Sequence, residues 1–121
     1  IAVSPDMQLG KLVNVISKSH SSFIPVLDSA GALLGEVDIT KIRHIMFRIE
    51  LYSKFHVSQI MTPVAARLTN NDKMEDVMKK FETTNTNYLP IVDINNILIG
   101  YVSRVRVFSM YRKTVADFSA E

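Results

Sequence analysis

The sequence predicts a mixed α/β (α+β) fold built as two tandem units of order β-α-β-β-α, with small sheets packed face to face and related by a pseudo-two-fold axis. Three observations lead there. The stretch Tyr88–Ser103, YLPIVDINNILIGYVS, holds two short apolar runs joined by a polar turn. Subtracting 65 from its numbers gives a second copy without a gap: Tyr88 falls on Phe23, Pro90 on Pro25, Asp93 on Asp28, Leu98 on Leu33, Gly100 on Gly35 and Val102 on Val37. The same offset sets Met74, Val77, Met78 and Phe81 over Leu9, Leu12, Val13 and Ile16, each set with the i, i+3, i+4, i+7 spacing of a helix with one apolar face. A unit this small buries too little apolar surface by itself, so the copies are expected to pair.

Taken in order, Ile1–Val3 reads as a short strand and Ser4-Pro5-Asp6 as the start of a helix running to about Ser19, since Pro suits a first turn and Asp a positive helix end. Phe23–Leu27 and Ala32–Val37 form the first hairpin, with Gly31 supplying the turn. Ile42, Ile45, Met46 and Ile49 place a helix over Thr40–Ile49. Val57, Ile60 and Met61 make a short amphipathic turn that Pro63 ends by holding Thr62 extended.

Val64–Leu68 opens the second copy as a strand, and Asp72 with Glu75 has the spacing of a capping box for the next helix. The second hairpin follows, its turn running through Asn95 and Asn96, because Asn tolerates left-handed backbone. The apolar runs of both hairpins suit strands buried on both faces. Beyond Ser103 a longer helix carries Phe108, Tyr111, Val115 and Phe118 on one stripe. The chain therefore divides into a first unit, 1–49, a connector, 50–61, a second unit, 62–112, and a helical extension, 113–121.

Composition narrows the function. With 47% apolar and 21% charged residues in 121 positions, the chain can build a real core. The net charge of +2, with Lys and Arg interspersed among acids, gives no footprint for nucleic acid. The absence of cysteine excludes disulfides and thiolate zinc sites. No apolar run reaches the roughly 18 residues that a bilayer span needs, and these residues are not expected to include a signal peptide. Because the chain begins at Ile1 within a strand, it is expected to be part of a longer polypeptide.

The double unit, with Pro and Asp in each hairpin and IMTP leading into the second copy, resembles a pair of CBS domains, or Bateman module. The resemblance covers Ile1 to about Arg112. The segments IMFRIELYSKFHVSQIMTP and FSMYRKTVADFSAE are similar to the cytoplasmic C-terminal regions of bacterial CLC-type chloride channels and transporters. This resemblance implies a noncatalytic regulatory module, a homodimer lying at the cytoplasmic side of the membrane beneath a chloride-transport domain of the same polypeptide. It implies no required cofactor, with AMP, ADP or ATP as the regulatory ligand. The alternatives are a ligand-free dimerisation and assembly module, or a CBS pair that regulates a different transporter or an enzyme.

In nucleotide-binding CBS units a Ser or Thr three residues after the hairpin Gly lies near phosphate, and an Asp six residues after it holds the ribose. Here Gly35 is followed at those positions by Asp38 and Lys41, and Gly100 by Ser103 and Arg106. Neither copy has the ribose Asp. The second unit keeps a hydroxyl at a helix start, where backbone N–H groups favour an anion, whereas Asp38 would repel one. By analogy Thr62, Asn87, Tyr88, Pro90, Ser103 and Arg106 would line that site, with Ser103 and Arg106 at phosphate and Tyr88–Pro90 flanking the base. The competing reading makes Ser103 a helix cap and Arg106 a solvated side chain, and the missing Asp favours it.

No catalytic or metal site emerges. His20, His44 and His56 each lack a ligand at suitable spacing on their own element. Glu75, Asp76 and Glu82 lie opposite the apolar face of their helix and read as solvated. The six methionines fall mostly on apolar stripes and read as core filler.

Overall fold

The computed structural model describes residues 1–119, the last three of these by backbone alone. The chain divides into two compact units, with the boundary between Val64 and Ala65. Residues 50–61, separated above as a connector, thus lie in the first unit, where Val57 is completely buried and Leu51, Tyr52, Phe55, Ile60 and Met61 pack on the core.

The first unit contains helix α1 (Leu9–Ser17), strands β1 (Phe23–Leu27) and β2 (Leu33–Asp38), helix α2 (Ile39–Met46), a 3-10 turn (Ile49–Leu51) and the short helix α3 (Val57–Ile60). Before α1 the expected strand is reduced to one parallel bridge, in which Val3 donates to the Pro25 carbonyl (3.1 Å) and accepts from Leu27 N–H (2.9 Å). The helix expected from Pro5 starts only at Leu9. The Pro5 and Met7 carbonyls accept from Ser58 and Val57 N–H, both at 2.8 Å, and so are withdrawn from any helical ladder. Leu9, Leu12 and Ile16 then bury one face of α1, as their spacing predicts.

β1 and β2 pair antiparallel from Phe23↔Asp38 to Leu27↔Leu33, with a bulge at Val26/Leu27. Asp28 builds the turn: its Oδ1 accepts from Ala30 and Ala32 N–H, both at 2.9 Å, and Gly31 takes a φ of 91°. Asp38 caps α2 by accepting from Thr40 N–H (3.0 Å) and the Thr40 hydroxyl (2.6 Å). α2 stops at Met46 rather than Ile49, because the Tyr52 hydroxyl donates to the Met46 carbonyl at 2.6 Å and the chain turns into the 3-10 segment.

The second unit contains helix α4 (Met74–Thr84), strands β3 (Tyr88–Val92) and β4 (Leu98–Ser103) and helix α5 (Arg104–Ser119). Its bonding repeats the first unit at the 65-residue offset. Leu68 bridges Ile91 as Val3 bridges Val26, the bulge recurs at Ile91/Val92, and Asp93 Oδ1 accepts from Asn95 (2.8 Å) and Ile97 (2.9 Å) N–H, with Asn96 at φ 65°. Only Leu68 of the expected Val64–Leu68 strand pairs.

Asp72 and Glu75 do not form a capping box. The Asp72 carboxylate accepts from Thr69 N–H and hydroxyl and from Lys80 Nζ (2.8 Å), while Asp76 takes the Lys73 N–H. Leu68, Phe81, Leu89 and Val107 form the core, with Phe108 and Val102 packed against it.

The fold class is the one the repeat predicts, two small antiparallel sheets with helices. β1 buries the consecutive residues Ile24, Pro25 and Val26, and β3 buries Leu89, Pro90 and Val92, as expected of strands covered on both faces, but β2 and β4 do not. β2 alternates, with Leu33 and Val37 inside and Leu34 40% exposed, and Ile99 of β4 is 56% exposed. β2 thus follows the period of two of a strand with one face on the core.

Candidate functional site

The candidate residues of the second unit converge where β3 begins, β4 ends and α5 starts. Tyr88 and Ser103 stand opposite each other across the β3–β4 ladder, and Pro90 pairs with Tyr101. The Asn87 carbonyl accepts the Arg104 N–H at 2.9 Å, which fixes the first residue of α5 over the start of β3; Ser22 and Ile39 make the equivalent bond in the first unit at 3.0 Å. Ser103 Oγ accepts from Arg106 N–H at 3.4 Å, so it caps α5 as Asp38 caps α2. Pro90 is buried, with its carbonyl held by Leu68 N–H at 2.8 Å. Tyr88 is 51% exposed.

Thr62 does not belong to this unit. It bridges Glu36 of β2 through two backbone bonds of 2.8 Å, and its hydroxyl lies 3.4 Å from the Glu36 carbonyl. Of the remaining candidates Asn87, Tyr88, Ser103 and Arg106 stand at one corner while Pro90 is buried two residues into β3, and the corner gains two neighbours that the sequence reading passed over. Arg104 extends its guanidinium to Asn85 Oδ1 (3.4 Å) and lies 5.4 Å from the Phe108 ring centroid, a cation–π distance. Asn85 holds its place by a left-handed backbone, φ 52°, that ends α4. The signal for Arg104 was its position directly after Ser103, at the first helical residue.

The two corners differ in charge. The first turn of α5 carries Arg104 and Arg106 and no acid. At the matching place in the first unit the Thr40 hydroxyl, hydrogen-bonded to Asp38, holds that carboxyl below the usual range, with the Lys41 charge adding to the effect, so a negative cap persists there. The second corner can therefore meet an anion through a hydroxyl, two guanidinium groups and the positive end of a 16-residue helix. Part of that capacity is already committed, since Arg104 and Arg106 N–H donate to Asn87 and Ser103.

Elsewhere in the second unit a shallow cavity of about 380 Å³ is lined by Asp72, Asp76, Lys79 and Lys80, whose charges offset one another. Among the described residues no three His, Cys, Asp or Glu side chains converge, and no helix is long and apolar enough to cross a membrane.

Comparison with known proteins places this geometry. The sequence profile of the CBS domain family matches residues 57–113. The chain is 26% identical over 93 residues to homoserine O-acetyltransferase of Methanococcus vannielii, covering 77% of this chain and 19% of that protein. It is 27% identical over 103 residues to inosine-5'-monophosphate dehydrogenase of Methanocaldococcus jannaschii, covering 85% and 20%. The chain thus spans about a fifth of the length of these relatives.

Among solved structures it resembles CbpB in complex with c-di-AMP (TM-score 0.76, 13% identity, 99% of this chain and 81% of that one) and CBSX2 in complex with AMP (0.73, 24%, 94% and 88%). It also resembles the CBS pair of a putative Mg2+ transporter of Shewanella oneidensis (0.72, 19%, 95% and 66%). The fold is that of a CBS domain pair.

Proposed function

We propose that this CBS pair is a noncatalytic regulatory module that senses an adenine nucleotide through the second unit and passes the signal to a chloride channel or transporter domain of the same polypeptide, at the cytoplasmic face of the membrane. The observation that carries the sensing is the contrast between equivalent corners: Ser103, Arg104 and Arg106 at the start of α5 against the ionised Asp38 at the start of α2. Phosphate meets attraction at the former and repulsion at the latter. The AMP and c-di-AMP held by CBSX2 and CbpB support an adenine-containing ligand.

The chloride-transport host rests on the likeness of the segments Ile45–Pro63 and Phe108–Glu121 to that family; the putative Mg2+ transporter shows a CBS pair in another transporter, and the curated relatives keep an enzyme host in view. Homodimerisation would use the α5 stripe. Phe108 and Tyr111 are half-buried and Val115 is 46% exposed, while the Phe118 side chain lies outside the described residues.

A ligand acts in this scheme only through its difference in affinity between two conformations of the module. The second reading is a ligand-free dimerisation and assembly platform. It is favoured by Lys41 and Arg106 at the positions of the family's ribose Asp, and by Ser103 serving as a helix cap.

Calorimetric titration with AMP, ADP and ATP separates the two. Saturable binding that Arg106→Ala abolishes and Lys41→Ala leaves intact supports the sensor. At ligand concentrations about 100-fold above Kd the fold gains about 2.7 kcal/mol, which thermal unfolding detects. No heat and no stabilisation with any of the three nucleotides selects the platform.

A further inference from the structure

The end of α2 presents an apolar and cationic surface that the regulatory reading does not use. Phe47 is 80% exposed and Ile49 75%, although folding ordinarily removes such side chains from water. One helical turn before Phe47 stand Arg43 and His44, and Lys41 completes the same solvent face, opposite the buried Ile42 and Met46. Arg48 follows directly. Residues 41–50 hold three cationic side chains, Lys41, Arg43 and Arg48, and one carboxylate, Glu50, so these ten positions carry +2, equal to the net charge of the whole chain. Arg48 and Glu50 are paired at 2.9 Å but both are more than half exposed, and such a pair leaves most of the local field intact.

The chemistry of the face selects its partner. A second copy related by a two-fold axis would set this +2 patch against an identical one, and the repulsion between like net charges disfavours that contact. A bilayer with anionic headgroups satisfies both components: cations remain at the phosphates while Phe47 and Ile49 enter the boundary with the acyl chains. We propose that this face of the first unit binds the surface of an anionic lipid membrane, independently of any nucleotide at the second unit.

The test is co-sedimentation of the 121-residue chain with vesicles of phosphatidylcholine alone or with added phosphatidylglycerol. The chain is expected to partition onto the anionic vesicles and to be released by salt. Arg43→Glu, which changes two charges, should lower partitioning at least about tenfold, and the double variant Phe47→Ser, Ile49→Ser should lower it as well. Ile94→Ser, at a 97% exposed residue of the other unit, should leave it unchanged. All these residues are exposed, so circular dichroism should show unaltered folds. Equal binding to both vesicle types, binding indifferent to Arg43→Glu, or no binding would overturn the proposal. A fall in light-scattering mass of the Phe47→Ser, Ile49→Ser variant without vesicles would overturn it too, by assigning the face to a second copy.

Discussion

Replacing Gly35 by alanine should destabilise the fold, whereas the same change at Gly100, its repeat equivalent, should not. A Cβ on Gly35 would lie 2.7 Å from the Thr62 carbonyl oxygen and 3.4 Å from Met61 Sδ. The carbonyl cannot swing aside freely, because Thr62 is tied to Glu36 by two backbone hydrogen bonds of 2.8 Å. Restoring ordinary contact requires a movement of roughly 0.5 Å or more, which stretches both bonds past their favoured length. Overpacking of this kind costs about 1–3 kcal/mol, and weakening the two bonds adds up to about 1 kcal/mol.

Gly100 has nothing within 4 Å of its added Cβ, so alanine there only removes the entropic penalty of glycine in a strand, a gain of about 0.5–1 kcal/mol. In a domain of this size 1 kcal/mol moves the melting temperature by about 4 °C. Thermal unfolding followed by circular dichroism should therefore show Gly35→Ala lower by about 4–16 °C and Gly100→Ala slightly higher. Equal shifts in the two variants would refute the reasoning, since sequence position alone makes the two glycines equivalent.

Asp28→Ala and Asp93→Ala should each cost about 1–3 kcal/mol in urea unfolding, and to a similar degree, because each Oδ1 accepts two backbone N–H groups of its hairpin turn; asparagine, which keeps that oxygen, should recover most of the loss. Asp72 is held below its ordinary pKa chiefly by its hydrogen bond from Lys80, with the Thr69 N–H and hydroxyl adding to it. A carboxyl lowered on folding stabilises the native state above the unfolded value of ~3.9 and loses that contribution as pH falls through the lower folded value. Urea unfolding across the acid range should accordingly show a flatter loss of stability for Asp72→Asn than for the native chain, and parallel curves would remove Asp72 from the account.

Local bonding explains how much of this protein its sequence determined. The repeat, the two hairpins and the residues at their turns follow from interactions spanning a few positions: Asp28 and Asp93 bond N–H groups two and four residues on, and Gly31 and Asn96 supply the left-handed backbone. Apolar spacing likewise marked the buried face of α1. Of the candidate site, Ser103 at a helix start was legible from local spacing, whereas its place opposite Tyr88 and the bond from Arg104 N–H to Asn87 came from the structure.

What only the tertiary structure decided depends on partners far along the chain. The start of α1 was misplaced because the Pro5 and Met7 carbonyls are claimed by residues near position 57. Asp72 left its capping box for Lys80. Thr62, grouped by sequence with the second unit, is held by Glu36 in the first. The guanidinium of Arg104 was assigned its place by Asn85 and Phe108. Short-range spacing encodes which residues turn, pair or face inward, but a polar group goes to whichever donor or acceptor the folded chain brings within reach, and that choice exists only once the chain has folded.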